Sequence, residues 1–298
     1  MRNELSRRQF IQSSAALAGA ALLAPFGLPA APAKRTAIDQ VTLGTTGLKL
    51  SRLGLGTGST SGNVQYRLGR EAFERLVHYA YDQGITYFDC AQGYRTFDWI
   101  GGAIKGLPRE KLFLQSKVPG KPEKVMETID RHRKTFNTDY IDSLLVHCMV
   151  KDGWTDEWKR IMDVFDEAKD KKIIRAKGVS CHSLPALRTA AASDWVEVHL
   201  VRVNPQAKHI DGPEETWTKS GDDIAPVMKE IKTMHAKGHG VIAMKLIGDG
   251  DFTDPADREK AARYVMGQPE IDAAVIGFKS TAEIDEAIQR VNRALAAA

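Results

Sequence analysis

From Val41 onward the sequence alternates short, β-rich apolar runs with longer segments whose apolar residues recur every three to four positions. Short runs separated by helix-length connections specify a parallel sheet, because parallel strands cannot be joined by tight turns. The predicted strands are Arg52–Leu55, Thr86–Cys90, Leu112–Lys117, Ile141–His147, Ala176–Ser180, Val196–Val203, Val241–Lys245 and Ala273–Ile276. Helical periods cover Arg70–Gln83, Trp99–Lys105, Glu123–Phe136, Asp156–Lys171, Leu184–Ala192, Ile224–Ala236, Pro255–Met266 and Ala282–Ala297. Thr155 and Thr281 stand where helix caps are expected. Val41–Leu43 and Leu48–Ser51 flank Gly44-Thr45-Thr46-Gly47 and predict a small hairpin ahead of the repeat. Eight strand–helix units in about 250 residues imply α/β architecture: a single (β/α)8 TIM barrel with a short N-terminal β-hairpin.

An open doubly wound sheet is the competing arrangement. It should begin with a Gly-x-Gly-x-x-Gly turn leading straight into a helix. Here Gly56-Thr57-Gly58-Ser59-Thr60-Ser61-Gly62 has Ser61 at the third position, and no helical period begins before about Arg70. The barrel is therefore favoured. One long linker, Asn204 to Asp223, follows neither period, and loops of that length in compact domains usually serve function.

The first 33 residues follow different rules. Arg2, Arg7 and Arg8 form a basic head, an uncharged Ala/Gly/Leu-rich stretch follows, and Ala31-Pro32-Ala33 precedes Lys34-Arg35. This is the layout of an export signal with its cleavage site, and the apolar part is short for a membrane span. Ser6-Arg7-Arg8-Gln9-Phe10 resembles the twin-arginine (Tat) signal motif. The resemblance implies Tat translocase as an export partner, delivery of a folded protein to the periplasm, and no stable membrane span after cleavage; an uncleaved anchor is the alternative. The expected organisation is residues 1–33 as signal peptide and 34–298 as barrel. Of 298 residues, removing the first 33 leaves 265, the size of one barrel. The whole chain carries 42 basic and 38 acidic side chains, and no Lys/Arg block suggests nucleic acid.

In barrels, chemistry gathers at the C-terminal ends of the strands. Asp89, Lys117 and His147 end the second, third and fourth predicted strands, with Tyr94 in the loop beyond Asp89. Alone, each has an ordinary explanation: a turn-capping Asp, a snorkelling Lys, a core His, a packing Tyr. Four together on one rim are harder to explain that way, since polar ends on such apolar runs are costly unless paired.

With these residues the chain resembles an aldo-keto reductase. Phe88-Asp89-Cys90-Ala91-Gln92-Gly93-Tyr94, with Asp98 and Gly101, is similar to the family's F-D-T-A-x-x-Y pattern. Leu114-Gln115-Ser116-Lys117, Thr138-Asp139-Tyr140-Ile141-Asp142 leading to His147, and Gly178-Val179-Ser180 match further motifs. The resemblance implies reduction of an aldehyde or ketone by hydride from a nicotinamide cofactor. Tyr94 is then the general acid, Lys117 lowers its pKa, Asp89 pairs with Lys117, and His147 orients the carbonyl. Cofactor contacts are implied for Gly56, Thr57, Ser180, Cys181, Met244, Lys245, Leu246, Gly277, Phe278, Lys279, Ser280, Glu283 and Glu286. Lys279 favours NADP(H), Glu283 opposes it, and NAD(H) stays open.

The sequence departs from the family where the nicotinamide amide is held. Cys181 replaces an asparagine, Leu200 a glutamine, and Met244 the ring-stacking tyrosine. These losses leave a non-catalytic ligand- or partner-binding protein as an alternative. Cys90, Cys148 and Cys181 at strand ends, near His147 and His182, raise a metal-dependent oxidoreductase as another. Strand parity counts against the metal, because thiols adjacent to inward-facing Asp89 and His147 should face the helices. In the active-rim loops, Trp217 and Trp154 are candidates to shape a pocket.

Overall fold

The computed structural model describes residues 34–298; the signal-like segment lies outside the described residues. A hairpin of β1 (Gln40–Thr42) and β2 (Lys49–Ser51) comes first, with Gln40 opposite Ser51. Eight strands follow: β3 (Leu53–Gly56), β4 (Tyr87–Asp89), β5 (Phe113–Val118), β6 (Ile141–Met149), β7 (Ile174–Cys181), β8 (Val198–Arg202), β9 (Gly240–Met244) and β10 (Ala273–Ile276). Every neighbouring pair is parallel, and β10 pairs with both β9 and β3, so the sheet closes into a barrel. The helices are α1 (Asn63–Tyr66), α2 (Arg70–Asp82), α3 (Ile100–Ala103), α4 (Val125–Phe136), α5 (Trp154–Asp170), α6 (Leu184–Ala192), α7 (Ala225–Ala236), α8 (Pro255–Met266) and α9 (Thr281–Ala296). None is long and apolar enough to cross a membrane among the described residues. The one-turn α1 begins earlier than the predicted Arg70, without forming a dinucleotide fingerprint.

The period of two along each strand divides the core into two clusters. Phe88, Leu114, Leu144, Val146, Val201 and Ala243 pack outward against the helices. Tyr87, Phe113, Leu145, Ala176, Val198, Leu200, Ile242 and Val275 pack inward along the barrel axis. Small residues make room for the large ones. A Cβ on Gly54 would lie 2.2 Å from the Tyr87 ring, and one on Gly178 would lie 2.0 Å from the Val198 carbonyl oxygen. The hairpin closes the N-terminal mouth, because Leu43, Leu48 and Leu50 belong to the same interior cluster. Without that plug the aromatic floor would meet water.

Two predicted caps are corrected. Helix α5 starts at Trp154 after a left-handed Gly153, so Thr155 lies inside its first turn. Helix α9 is capped by Ser280, whose Oγ accepts from the Glu283 N–H, while Thr281 is its first residue. Both corrections have the same origin. Backbone dihedrals set where a helix begins, whereas the sequence leaves open which of two nearby hydroxyl or glycine residues stands outside it.

The plug argument makes a direct prediction. Leu50 is fully buried, so Leu50→Ala should lower the unfolding free energy by about 2–5 kcal/mol in urea denaturation. A change below about 0.5 kcal/mol would contradict a structural role for the hairpin.

Candidate active site

The strand period that builds the barrel interior also positions the polar residues above it. Two residues beyond Tyr87 on the same face is Asp89; beyond Phe113 come Gln115 and Lys117; beyond Leu145 comes His147. The apolar layer is therefore succeeded, on the same inward face, by a polar one at the C-terminal mouth. Lys117 Nζ donates to Asp89 Oδ1 at 2.6 Å, to Asp89 Oδ2 at 2.8 Å and to the Cys90 carbonyl at 2.8 Å. Gln115 Nε2 adds a bond to Asp89 Oδ1 at 2.9 Å and another to the Tyr87 hydroxyl at 2.8 Å. The Lys117 side chain is only 1% exposed, so its charge survives burial through this pairing. Nζ also lies 5.0 Å from the centroid of the Tyr94 ring. The His147 ring meets Tyr94 edge to face, with centroids 5.7 Å apart.

Electrostatics assign protonation states. Burial lowers the pKa of Lys117, but Asp89 and then Tyr94 outweigh it, so the ammonium titrates above its usual value. Burial pushes Tyr94 up to about 12, against the opposing charge of Lys117. On balance the Tyr94 pKa is raised, although Lys117 pulls it down as expected. The lysine charge is already neutralised by Asp89, and desolvation of the phenolate is larger. Burial, and secondarily Lys117, lowers His147 to about 3. At neutral pH the site presents a protonated phenol and a neutral imidazole.

These groups form one part of a cleft of about 1040 Å³. Asp89, Tyr94, Lys117 and His147 all line it, as do Gly56, Ser180, Met244, Lys245, Leu246, Gly277, Phe278, Lys279, Glu283 and Glu286. Three expected contributors do not. Thr57 is buried, and its N–H and Oγ1 both donate to the Asp89 carbonyl. Cys181 packs into the helix-side core. Ser280 spends its hydroxyl on the α9 cap. Leu200 lies in the interior cluster with Met244 against it.

At the far end of the cleft, Arg258 and Arg290 join Lys279. Arg258 Nε donates to Glu286 Oε1 at 2.9 Å, Arg290 also pairs with Glu286, and Lys279 Nζ lies 3.5 Å from Glu283 Oε1. Backbone strain concentrates along the same rim. Thr60, Ser61, Cys148, His209, Lys245 and Asp249 all have positive φ, and all line the cleft. Non-glycine residues adopt that region at a cost that surrounding structure must impose.

With this arrangement in place, comparison with known proteins is decisive. Residues 52–295 match the Aldo/keto reductase family. The chain belongs to that family. Residues 4–24 match the TAT (twin-arginine translocation) pathway signal sequence. Among curated relatives, a probable aldo-keto reductase 1 of Glycine max is 28% identical over 232 residues, covering 72% of this chain and 61% of the relative. The aldo-keto reductase YhdN of Bacillus subtilis is 28% identical over 173 residues, covering 52% and 50%. The chain thus spans only half to three-fifths of the length of these relatives. A solved structure of an aldo-keto reductase from Bacillus halodurans, in its holo form, superposes with a TM-score of 0.67 at 17% identity, covering 87% of this chain and 96% of that one. That likeness is one of fold.

Within this aldo/keto reductase chain, two sequence readings need correction. Strand parity places Cys90 and Cys148 toward the helices: Cys90 is buried as expected, and so is Cys181, but Cys148 is half-buried and lines the cleft. The register of β6 against β7 shifts between Val146 and Met149, and Cys148 takes φ +65°. This bulge turns Cys148 out of the alternation, which a sequence read at period two cannot anticipate. Trp154 is not a pocket residue: it is buried against the helices, and its Nε1 donates to the Ala186 carbonyl. Trp217 does line the cleft and is 63% exposed. Among the described residues, no three His, Cys, Asp or Glu side chains converge as a metal would need.

Other contributors escape a reading of the sequence. Gln115 lies inside a family motif that gives it no role. Gly58 reads only as part of a broken fingerprint, yet a Cβ there would lie 2.4 Å from Tyr94 Cζ and 2.6 Å from its hydroxyl. Arg202, at the inward end of β8, is invisible because its partner Asp211 sits in the long loop. Gly58→Ala should therefore displace the Tyr94 hydroxyl and cut kcat by at least about tenfold, with the circular dichroism spectrum unchanged. Unaltered kcat would show that Tyr94 need not occupy its present position.

The protonation states give a pH prediction. His147 is neutral above about 3 and Tyr94 protonated below about 12, so neither group titrates near neutrality. At saturating substrate, kcat for an uncharged aldehyde should be flat from roughly pH 5 to 9. A limb near pH 6.5 that vanishes in His147→Gln would contradict the assignment.

Proposed function

We propose that the protein reduces an aldehyde or ketone to an alcohol with a nicotinamide cofactor, NADP(H) in preference to NAD(H). Tyr94 serves as general acid, Lys117 and Asp89 set its surroundings, and His147 orients the carbonyl. The observation that carries this reading is the buried Asp89–Lys117 pair beside a neutral Tyr94 and His147, all facing one cleft. The family match and its reductase relatives support the same reaction.

The cofactor fits the residues present along most of its length. The cleft lies at the upper end of the ~300–1,000 Å³ usual for small-molecule sites, which leaves room for an extended ligand beside a small substrate. Gly277 leaves the room that the Ser59 hydroxyl takes at the edge of the cleft, since a Cβ there would meet Ser59 Oγ at 2.0 Å. Lys279, Arg258 and Arg290 would hold the phosphate-bearing end, and Met244 would pack on the ring. Amide side chains are missing at Cys181 and Leu200, so Ser180 is the hydroxyl left for the ring's polar substituent. When bound, the nicotinamide supplies hydride to the carbonyl carbon.

This chain's residues then manage the oxygen. As negative charge develops there, Tyr94 gives up its phenolic proton, and the Lys117 ammonium favours the phenolate that forms. The raised Tyr94 pKa suits this order, because the group holds its proton until an alkoxide, a far stronger base, demands it. Neutral His147 can donate one N–H to the same oxygen without adding a competing charge. Asp89 keeps the lysine charged and fixed, and Gln115 holds Asp89 from below. Release of product leaves Tyr94 to recover its proton from solvent.

Export by the twin-arginine route, cleavage after Ala33 and residence in the periplasm complete the proposal, resting on the match at residues 4–24. A translocase that passes folded proteins is suited to one that leaves with its cofactor bound. The mature barrel would then carry a net charge of +2, since Arg2, Arg7, Arg8 and Glu4 depart with the signal.

Two measurements test the chemistry. Tyr94→Phe should lower kcat by about 10²–10⁴-fold while NADPH binding, followed by fluorescence, stays within about twofold. Retained turnover would remove Tyr94 as the acid. Lys279→Ala should weaken NADPH about three- to tenfold and NADH less than twofold, because its exposed ammonium, otherwise near only Glu283, would meet the extra phosphate alone. Equal effects on both would favour NAD(H).

A further inference from the structure

We infer that Arg202 forms a carboxylate-binding subsite in the cleft, so that the preferred substrates are carbonyl compounds carrying a carboxylate some atoms away from the carbonyl. This rests on the reductase reading of the same cleft. Arg202 ends β8 on the inward face, above Val198 and Leu200, and it lines the cleft although only 4% exposed. A guanidinium is rarely buried to that degree without a use for its donors. Here two nitrogens are occupied. Nε donates to Asp211 Oδ1 at 2.7 Å, Nη2 lies 2.7 Å from the same oxygen, and Nη2 also donates to the His182 carbonyl. Among the described residues, Nη1 forms no hydrogen bond, and it is not among the atoms sealed from solvent. The fork is held rigidly on one side and open to the cleft on the other.

The surroundings say what the open side suits. From Tyr94 the wall runs to the His147 ring and then to the His182 ring, whose centroid lies 6.5 Å from that of His147, and Arg202 grips the His182 backbone. A carbonyl at Tyr94 and an anion at Arg202 are thus separated by two imidazoles, which are neutral because burial depresses both. Neutral rings accept or donate to hydroxyls along the substrate without repelling it. The other cleft ammonium groups nearby, Lys117 and Lys245, are already paired with Asp89 and Asp249. One open guanidinium nitrogen therefore matches a monoanionic carboxylate, whereas a dianionic phosphate would bring a second charge with no cation to meet it. Asp211 adds a means of accommodation. Its Oδ2 has no hydrogen-bond partner, and burial, opposed by Arg202, raises its pKa to about 6. Proton uptake there can relieve the crowding of two carboxylates on one guanidinium.

The test uses the mature protein with NADPH and pairs of aldehydes that differ only by a carboxylate: 4-oxobutanoate with butanal, through 6-oxohexanoate with hexanal. For at least one chain length, kcat/KM should favour the acid by about 10- to 100-fold, the worth of one charge-assisted hydrogen bond. The double variant R202Q/D211N keeps two groups that can hydrogen-bond each other in place of the pair, and it should abolish that preference. R202K should retain part of it. Calorimetry with hexanoate and hexanamide gives a readout independent of turnover, with the acid bound more tightly only when Arg202 is present. Reduction of all aldehydes with no preference for acids would overturn the subsite and leave the reductase reading standing. Hexanoate selectivity without any aldehyde reduction would overturn the reductase reading and leave the subsite. An R202Q/D211N protein that keeps its acid preference while losing NADPH affinity would also overturn the subsite, assigning Arg202 to the cofactor.

Discussion

A lysine ammonium with 1% exposure has to be paired, and the site is arranged around that requirement. Asp89 supplies both carboxylate oxygens, the Cys90 carbonyl takes the third proton, and Gln115 fixes Asp89 while tying it to Tyr87 in the apolar layer below. Removing one partner of such a pair typically costs about 3–5 kcal/mol, since it strands the other charge. The pair therefore links barrel stability to the protonation of the residue above it. It also explains why Lys117 does not simply ionise Tyr94: with Asp89 neutralising the ammonium, burial of the phenol dominates. The tyrosine stays protonated at neutral pH, as the proposed general acid must.

The barrel delivers Asp89, Gln115, Lys117 and His147 through its strand period. Inward positions on β4, β5 and β6 hold an aromatic or aliphatic residue first and a polar one two places later. The first layer is closed from beneath by the hairpin leucines and the second opens to the cleft. This explains why so much is legible in the sequence. Eight apolar runs and their helical connections define the architecture within a few residues, and strand ends name Asp89, Lys117 and His147. Whatever obeys a period can be read.

What does not obey a period stays hidden. The bulge after Val146 brings Cys148 into the cleft, and no alternation marks a bulge in advance. Gly58 matters through the space it leaves for the Tyr94 ring, a property of two loops meeting rather than of its own motif. Arg202 is intelligible only with Asp211, nine residues away in a segment without regular structure except an isolated bridge from Asp211 to Ser220. Trp154 falls on the other side because α5 starts two residues earlier than its charged turn suggests. The long loop itself is recognisable as unusual, and it does reach the cleft through His209, Trp217 and Thr218.

The proposed reaction brings hydride to a carbonyl carbon while a phenolic proton reaches its oxygen. Mass spectrometry of the alcohol formed from an aldehyde and NADPH deuterated at both C4 positions, in ordinary water, tests this most directly. The expected result is one deuterium on the carbinol carbon of every product molecule and none exchanged from solvent. Product without that label, or label lost to water, would contradict it.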